Sequence, residues 1–187
     1  ITSYDYGAPL SEAGDRTPTY YKIREIFEKK YGKVPELTAK ESKKAAYGSL
    51  EMTEEAKFFE NIDNISKPVK VAAPKYMEDI GQNFGYTLYR TTINGPTFDE
   101  HPLWIKKVHD RAQVFVDGEH KGTICRWNMS KDGKTGINIP LEIGESATLD
   151  ILVENMGRVN YGDKLMDHKG IRGVSFGGFR AHFGWDM

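Results

Sequence analysis

The sequence predicts a mainly β protein, an antiparallel sandwich or jelly roll preceded by one amphipathic helix. Three observations carry that expectation. Before Gly32 the apolar residues recur at spacings of three and four, whereas from Lys75 onward the period falls to two. The stretches of period two are short. Turn residues separate them, and no long helical pattern intervenes.

Taken in order, Thr2-Ser3-Tyr4 is short and β-prone, and Gly7-Ala8-Pro9 breaks it. Asp15 or Thr17 then offers an N-cap, and Pro18 falls in the first turn, where its missing N–H costs nothing. Tyr20, Ile23, Phe27 and Tyr31 make a wide apolar stripe that ends at Gly32, and such a stripe must be covered by something. Residues 33–44 are charged and contain Pro35, so they read as linker. Residues 46–52 read as a strand, with a short helix opening at Thr53-Glu54-Glu55-Ala56 as the competing assignment. Strands are expected at residues 85–93, 112–116, 137–143, 148–153 and 170–176. Asp117-Gly118 turns the second of these into a hairpin whose other arm runs through Ile124, and Pro140 marks an edge or a bulge.

Composition narrows the function classes. The 187 residues suffice for one domain and part of another. The 39% hydrophobic and 28% charged fractions are those of a soluble globular protein, and no apolar run approaches a membrane span. With 26 basic and 27 acidic residues and no basic stripe, neither a nucleic acid nor a membrane is expected as partner. Cys125 is the only cysteine, so no intrachain disulfide can form. The start shows no basic and apolar leader pattern, which neither supplies nor excludes a signal peptide. Residues 181–187 stop on aromatic residues, and both ends read as cut from a longer chain. Localisation therefore stays open between cytoplasmic and secreted or lysosomal-type.

Residues able to carry chemistry are few. His101, His109, His120, His168 and His182 show no paired metal-ligand spacing, and neither a metal nor a cofactor is expected. Asp150 and Glu154 share one side of a strand, but alternation makes them its polar face opposite Leu149, Ile151 and Val153, not a catalytic pair. Residues 155–162 (NMGRVNYG) are dense in turn formers and polar donors, with the Tyr161 ring available for stacking on a sugar. Asn64-Ile65-Ser66 and Asn128-Met129-Ser130 are glycan-acceptor patterns that matter only in a secreted eukaryotic protein.

Four blocks add a family. Residues 2–15 (TSYDYGAPLSEAGD), 85–92 (GYTLYRTT), 108–118 (VHDRAQVFVDG) and 149–162 (LDILVENMGRVNYG) closely resemble, in the same order, the glycoside hydrolase family 35 β-galactosidases, which have animal lysosomal and bacterial members. The resemblance implies a (β/α)8 barrel followed by two β-sandwich domains. The barrel hydrolyses terminal non-reducing β-galactosyl residues with retention. Retention needs two carboxyl groups roughly 5–5.5 Å apart, and in the family both are glutamates on earlier barrel strands.

By that resemblance, residues 1–32 correspond to the last strand end, loop and helix of a truncated barrel, and residues 33–74 to a linker with one strand. Residues 75–180 form a galactose-binding-like jelly-roll sandwich, and residues 181–187 start a missing second β-domain. No catalytic residue is expected in this chain, which should be inactive. Tyr6 matches the family tyrosine that lines the galactose pocket, a role it would have only in the intact enzyme. Tyr4 and Asp5 would orient that loop. Gly7 stands where animal members carry a second acid, which removes any carboxylate role there. The 155–162 segment is in the family a structural loop that holds the sandwich. The expected partners are β-galactoside glycans, reached through the parent barrel, and a second copy of the chain by self-association. The competing readings are a free-standing carbohydrate-binding module and a protein-interaction scaffold.

Overall fold

In a computed structural model, residues 6–36, 38, 40–129 and 135–187 are described. The strand expected at Thr2-Ser3-Tyr4, the loop residues Tyr4 and Asp5, and Ser130 of the second acceptor pattern lie outside them. The chain divides into two compact units, Ile1–Glu55 and Ala56–Met187.

In the first unit, residues 8–17 fold back on themselves before the helix. Leu10 bridges Arg16, and the Ser11 amide donates to the Asp15 carbonyl at 2.8 Å. Helix α1 then spans Pro18–Tyr31 with proline in its first turn. Thr17 occupies the N-cap position, but its hydroxyl donates to the carbonyls of Ala8 and Pro9 at 2.9 and 3.0 Å, so it ties down the loop and does not cap the helix. Gly32, at φ 82°, ends the helix with its amide on the Glu28 carbonyl, a backbone conformation that a side chain would oppose. No residue of α1 is buried, and of its apolar stripe Ile23, Phe27 and Tyr31 are exposed while Tyr20 is half-buried. The strand expected at residues 46–52 does not form, and Tyr47, Leu50 and Met52 are exposed. A strand is stable only within a ladder, and among the described residues none pairs with this segment.

The second unit is the sandwich. Its elements are α2 (Phe58–Ile65), β1 (Lys70–Val71), a 3₁₀ turn (Glu78–Ile80), β2 (Gly85–Asn94), β3 (Leu103–Ile105) and β4 (Arg111–Val116). They continue with β5 (Glu119–Cys125), β6 (Gly136–Ile137), β7 (Ser146–Asn155), β8 (Val174–Phe176), β9 (Arg180–Ala181) and β10 (Trp185–Asp186). One sheet has the order β1-β10-β2-β7-β4-β5 and the other β6-β3-β8-β9, with every pairing antiparallel. Alternation supplies the core. Tyr89 and Ile93 of β2, Ala112 and Val114 of β4, and Leu149, Ile151 and Val153 of β7 meet Leu103, Ile105, Val174 and Phe176 of the second sheet. Asp117 and Gly118 take φ of 48° and 81°, the positive pair that a two-residue hairpin between β4 and β5 requires.

Several expectations shift in detail. The 33–74 stretch, expected as a linker with one strand, holds α2 and β1. The paired Phe58-Phe59 forms part of α2, and Phe59 lies edge-on to Phe115 at 4.9 Å on the outer side of β4. Of residues 137–143 only the first joins a strand, with Leu141 making a single bridge to Thr97. Pro140 cannot donate to a ladder. Of residues 170–176 only the last three form β8, because Gly170 instead bridges Tyr76 and His109. Strand β3 carries no alternation long enough to read. Residues 181–187, expected to open another domain, place Trp185 and Asp186 between β1 and β2, where two strands need a filler to complete their hydrogen bonds.

The register of the larger sheet aligns one outward-facing residue from every strand in a single row. Lys70 pairs with Asp186, Asp186 with Arg90, Arg90 with Asp150, Asp150 with Phe115 and Phe115 with His120. Directly opposed residues share a face of the sheet. The row is therefore charged at one end and aromatic at the other, and Phe59 of α2 packs at the aromatic end.

Candidate functional site

The densest set of polar side chains lies at one end of the sandwich, where β4 begins and β5 and β7 end. Asp110 immediately precedes β4, Arg126 follows β5 and Met156 follows β7. The fourth contributor, residues 167–170, is the approach to β8. Chain reversals thus deliver four loops to one place, each positioned by a paired strand.

Lys169 is at the centre and only 1% exposed. Its ammonium donates to Asp110 Oδ2 and to the Gly157 carbonyl, each at 2.6 Å. Asp110 also accepts from Arg126 Nη1 at 2.9 Å and from the Met156 amide at 2.9 Å. The other arm of the Arg126 guanidinium holds Asp167. Arg158 donates to the Asp167 carbonyl and, at 2.5 Å, to Glu78 Oε1. Glu78 in turn accepts the Lys169 amide at 3.0 Å. His109 donates through Nδ1 to the His168 carbonyl at 2.6 Å, and the His168 ring stacks on Tyr76 at 4.7 Å.

Burial by itself would raise the Asp110 pKa. The hydrogen bonds from Lys169 and the Met156 amide, with the Lys169 charge and the Arg126 bond, outweigh it and hold the carboxyl below its ordinary range. Glu78 behaves alike. Burial pushes it up, while its own amide, the Lys169 amide and Arg158 bring it down further. Arg126 is shifted up, because its bonds to Asp167 and Asp110 exceed the cost of its burial.

These carboxylates are ionised and occupied. A general acid needs a proton at working pH and hence a raised pKa, and Asp110 and Glu78 are driven the other way. Its chemistry is to pin loops. Asp110, reaching the Met156 amide, and Lys169, reaching the Gly157 carbonyl, clamp the start of the 155–162 segment to the strand ends.

The remaining sequence candidates are dispersed. Tyr6 is 87% exposed in the first unit. Asp150 is almost fully buried in a two-pronged pair with Arg90, Nε to Oδ1 at 2.7 Å and Nη2 to Oδ2 at 2.9 Å, while Glu154 pairs with Arg111 at 3.3 Å. Both lie opposite the buried Leu149, Ile151 and Val153. Asp150 is nevertheless not a solvated face residue, since its bond to Arg90 replaces water. Tyr161 is exposed. Among the described residues no group of three or more His, Cys, Asp or Glu side chains gathers as a metal site would need, and no helix is long and apolar enough to cross a membrane. The Lys169 cluster escaped the sequence reading. Its one local sign was a lysine set among glycine and isoleucine on the way into a strand.

Comparison with known proteins bears on the same unit. Residues 74–187 match the family model described as the first all-beta domain of beta-galactosidase. The chain is 44% identical over 176 residues to a beta-galactosidase of Bos taurus, covering 91% of this chain and 26% of that protein. It is 42% identical over 175 residues to a beta-galactosidase of Homo sapiens, covering 91% and 25%. The figure is 36% over 166 residues for one of Xanthomonas manihotis, covering 89% and 26%. The chain thus spans about a quarter of the length of these relatives.

Proposed function

From the premise that this chain belongs to the β-galactosidase family through its first all-β domain, we propose that it is a non-catalytic region of a retaining β-galactosidase, an enzyme that hydrolyses terminal non-reducing β-D-galactosyl residues. In this reading the sandwich supports a barrel that carries the reaction, and residues 1–32 correspond to the end of that barrel.

The observation that carries the non-catalytic reading is the state of Asp110, a buried carboxylate whose two oxygens are taken by Lys169, Arg126 and the Met156 amide. Retaining hydrolysis asks for one protonated carboxyl and one free carboxylate at roughly 5–5.5 Å. Asp150, the other buried acid among the described residues, is held by both arms of the Arg90 fork. The identity to beta-galactosidases and the quarter-length coverage support the wider reading.

The test is an assay of the purified chain on a chromogenic β-galactoside, with no turnover expected. Saturable hydrolysis that disappears on Asp110→Asn or Asp150→Asn would place the reaction in this chain and overturn the proposal.

A further inference from the structure

On the outer face of the larger sheet, at the charged end of the aligned row, lies an open groove of about 690 Å³ lined by Lys70, Arg90, Thr92, Thr148, Phe183 and Asp186 among others. That size is within the roughly 300–1,000 Å³ of ordinary small-ligand sites. It lies in the second unit, apart from the Lys169 cluster, and the function proposed above does not use it.

We propose that this groove binds a neutral carbohydrate. The register alternates the charges along the row, with the ammonium of Lys70, the carboxylate of Asp186 and the guanidinium of Arg90 in the groove lining and the Asp150 carboxylate paired to Arg90. The row carries no net charge. An anion reaching for Arg90 meets the fields of Asp150, Asp63 and Asp186, all of which act on that guanidinium. A cation meets Lys70 and Arg90. A sugar hydroxyl both donates and accepts, so a run of hydroxyls can match donor, acceptor and donor in turn.

The groups are also available. Asp150 engages Nε and Nη2 of Arg90 and leaves its Nη1 outside that pair, and Arg90 lines the groove. Among the described residues, the Lys70 and Asp186 side chains enter no ion pair within 4 Å. One rung along, Thr92 opposes Thr148 and adds two hydroxyls. Phe183, 67% exposed, supplies a flat apolar wall. A pyranose presents a matching apolar face with hydroxyls around its edge, and an aromatic ring can cover that face while polar groups hold the rim.

The experiment is an NMR titration of the isotope-labelled 187-residue chain with lactose, and in parallel with galactose 6-sulfate and inorganic sulfate. Saturable shifts centred on Lys70, Thr92, Thr148, Phe183 and Asp186 are expected with lactose. Phe183→Ala, an exposed position whose change leaves the core intact, should weaken binding by about tenfold or more, as loss of an aromatic anchor does. Asp186→Lys should weaken it as well, by breaking the alternation. The absence of saturable shifts with lactose, shifts centred elsewhere, an unchanged affinity in folded Phe183→Ala, or tighter binding of either sulfated probe would each overturn the proposal. None of these outcomes depends on whether the chain hydrolyses galactosides, so the two proposals fail separately.

Discussion

The Lys169 ammonium lies 2.6 Å from the Asp110 carboxylate across 59 positions of sequence, with both side chains almost wholly out of water. This pair joins the approach to β8 to the start of β4, and a bond so far from solvent is governed by desolvation. Losing Lys169 leaves Asp110 held only by Arg126 and the Met156 amide, and breaking a buried pair costs about 3–5 kcal/mol. Lys169→Met is therefore expected to lower unfolding stability by that amount in urea titration, while Lys169→Met with Asp110→Leu should recover much of it. A double variant as unstable as the single one would mean that the pair itself supplies the stability.

Acid should weaken the sandwich in two steps of the same sign. His182 has its pKa lowered, first by burial and then by the Arg180 charge, with a partial offset from the Thr92 backbone. Its folded form resists a proton that the unfolded chain takes up, so stability is full above about pH 6.5 and falls as pH drops through that value. Asp110 and Glu78, also depressed, add a further loss as pH falls from about 4 toward their lowered values. His182→Gln should flatten the slope just below pH 6.5 and leave the lower one. Urea midpoints measured across this range check both.

Gly170 has φ 100°, and a Cβ there would strike the Tyr89 hydroxyl and crowd Met77. Tyr89 cannot yield, because its hydroxyl donates to the Lys75 carbonyl at 2.8 Å from a fully buried ring. Backbone strain and overpacking together should make Gly170→Ala cost on the order of 3 kcal/mol. Thermal melts against Gly144→Ala, a positive-φ glycine with open space around it, would separate the steric part.

In the longer enzyme that the family implies, Tyr6→Ala is expected to lower kcat/KM for galactosides by about 10–1,000-fold, with Tyr6→Phe milder. Steady-state kinetics on folded full-length protein test this. Unchanged kinetics would remove Tyr6 from the pocket.

The apolar stripe of α1 leads to a prediction about the isolated chain. Tyr20, Ile23, Phe27 and Tyr31 are none of them buried, and covering each such side chain gains roughly 1.5–3 kcal/mol. Self-association is the expected outcome, seen by light scattering as a mass above one 21.2 kDa chain that falls on Phe27→Glu. A single-chain mass at high concentration would refute it.

The long strands were legible because each alternates over its whole length. β2 and β7 pair at ten consecutive positions, and their buried residues are those the period of two selects, save Asp150, which is buried in its pair with Arg90. The hairpin at Asp117-Gly118 announced itself by turn chemistry. β3, β6, β9 and β10 are only two or three residues long, below the length at which a period exists, and are strands because neighbours offer them hydrogen bonds. The candidate sites were harder for a related reason. Lys169, Asp110 and Arg126 are ordinary charged residues until three chain reversals bring them together, and the Lys70–Asp186–Arg90–Asp150 row exists only through register.

Strand β10 has a consequence for how the protein is made. Among the described residues, 185 and 186 are the sole ladder partner of Lys70–Val71 and stand between that strand and β2. A ribosome emitting this chain releases residues 70–94 long before the residues that link them, so the two segments can only wait. Until then the outer rim of the sheet stays open, with β2 an unprotected edge exposed to chaperones or to neighbouring chains. Sealing the rim and creating the sugar groove are then one late event, and ligand binding would report that synthesis and assembly of this unit are finished.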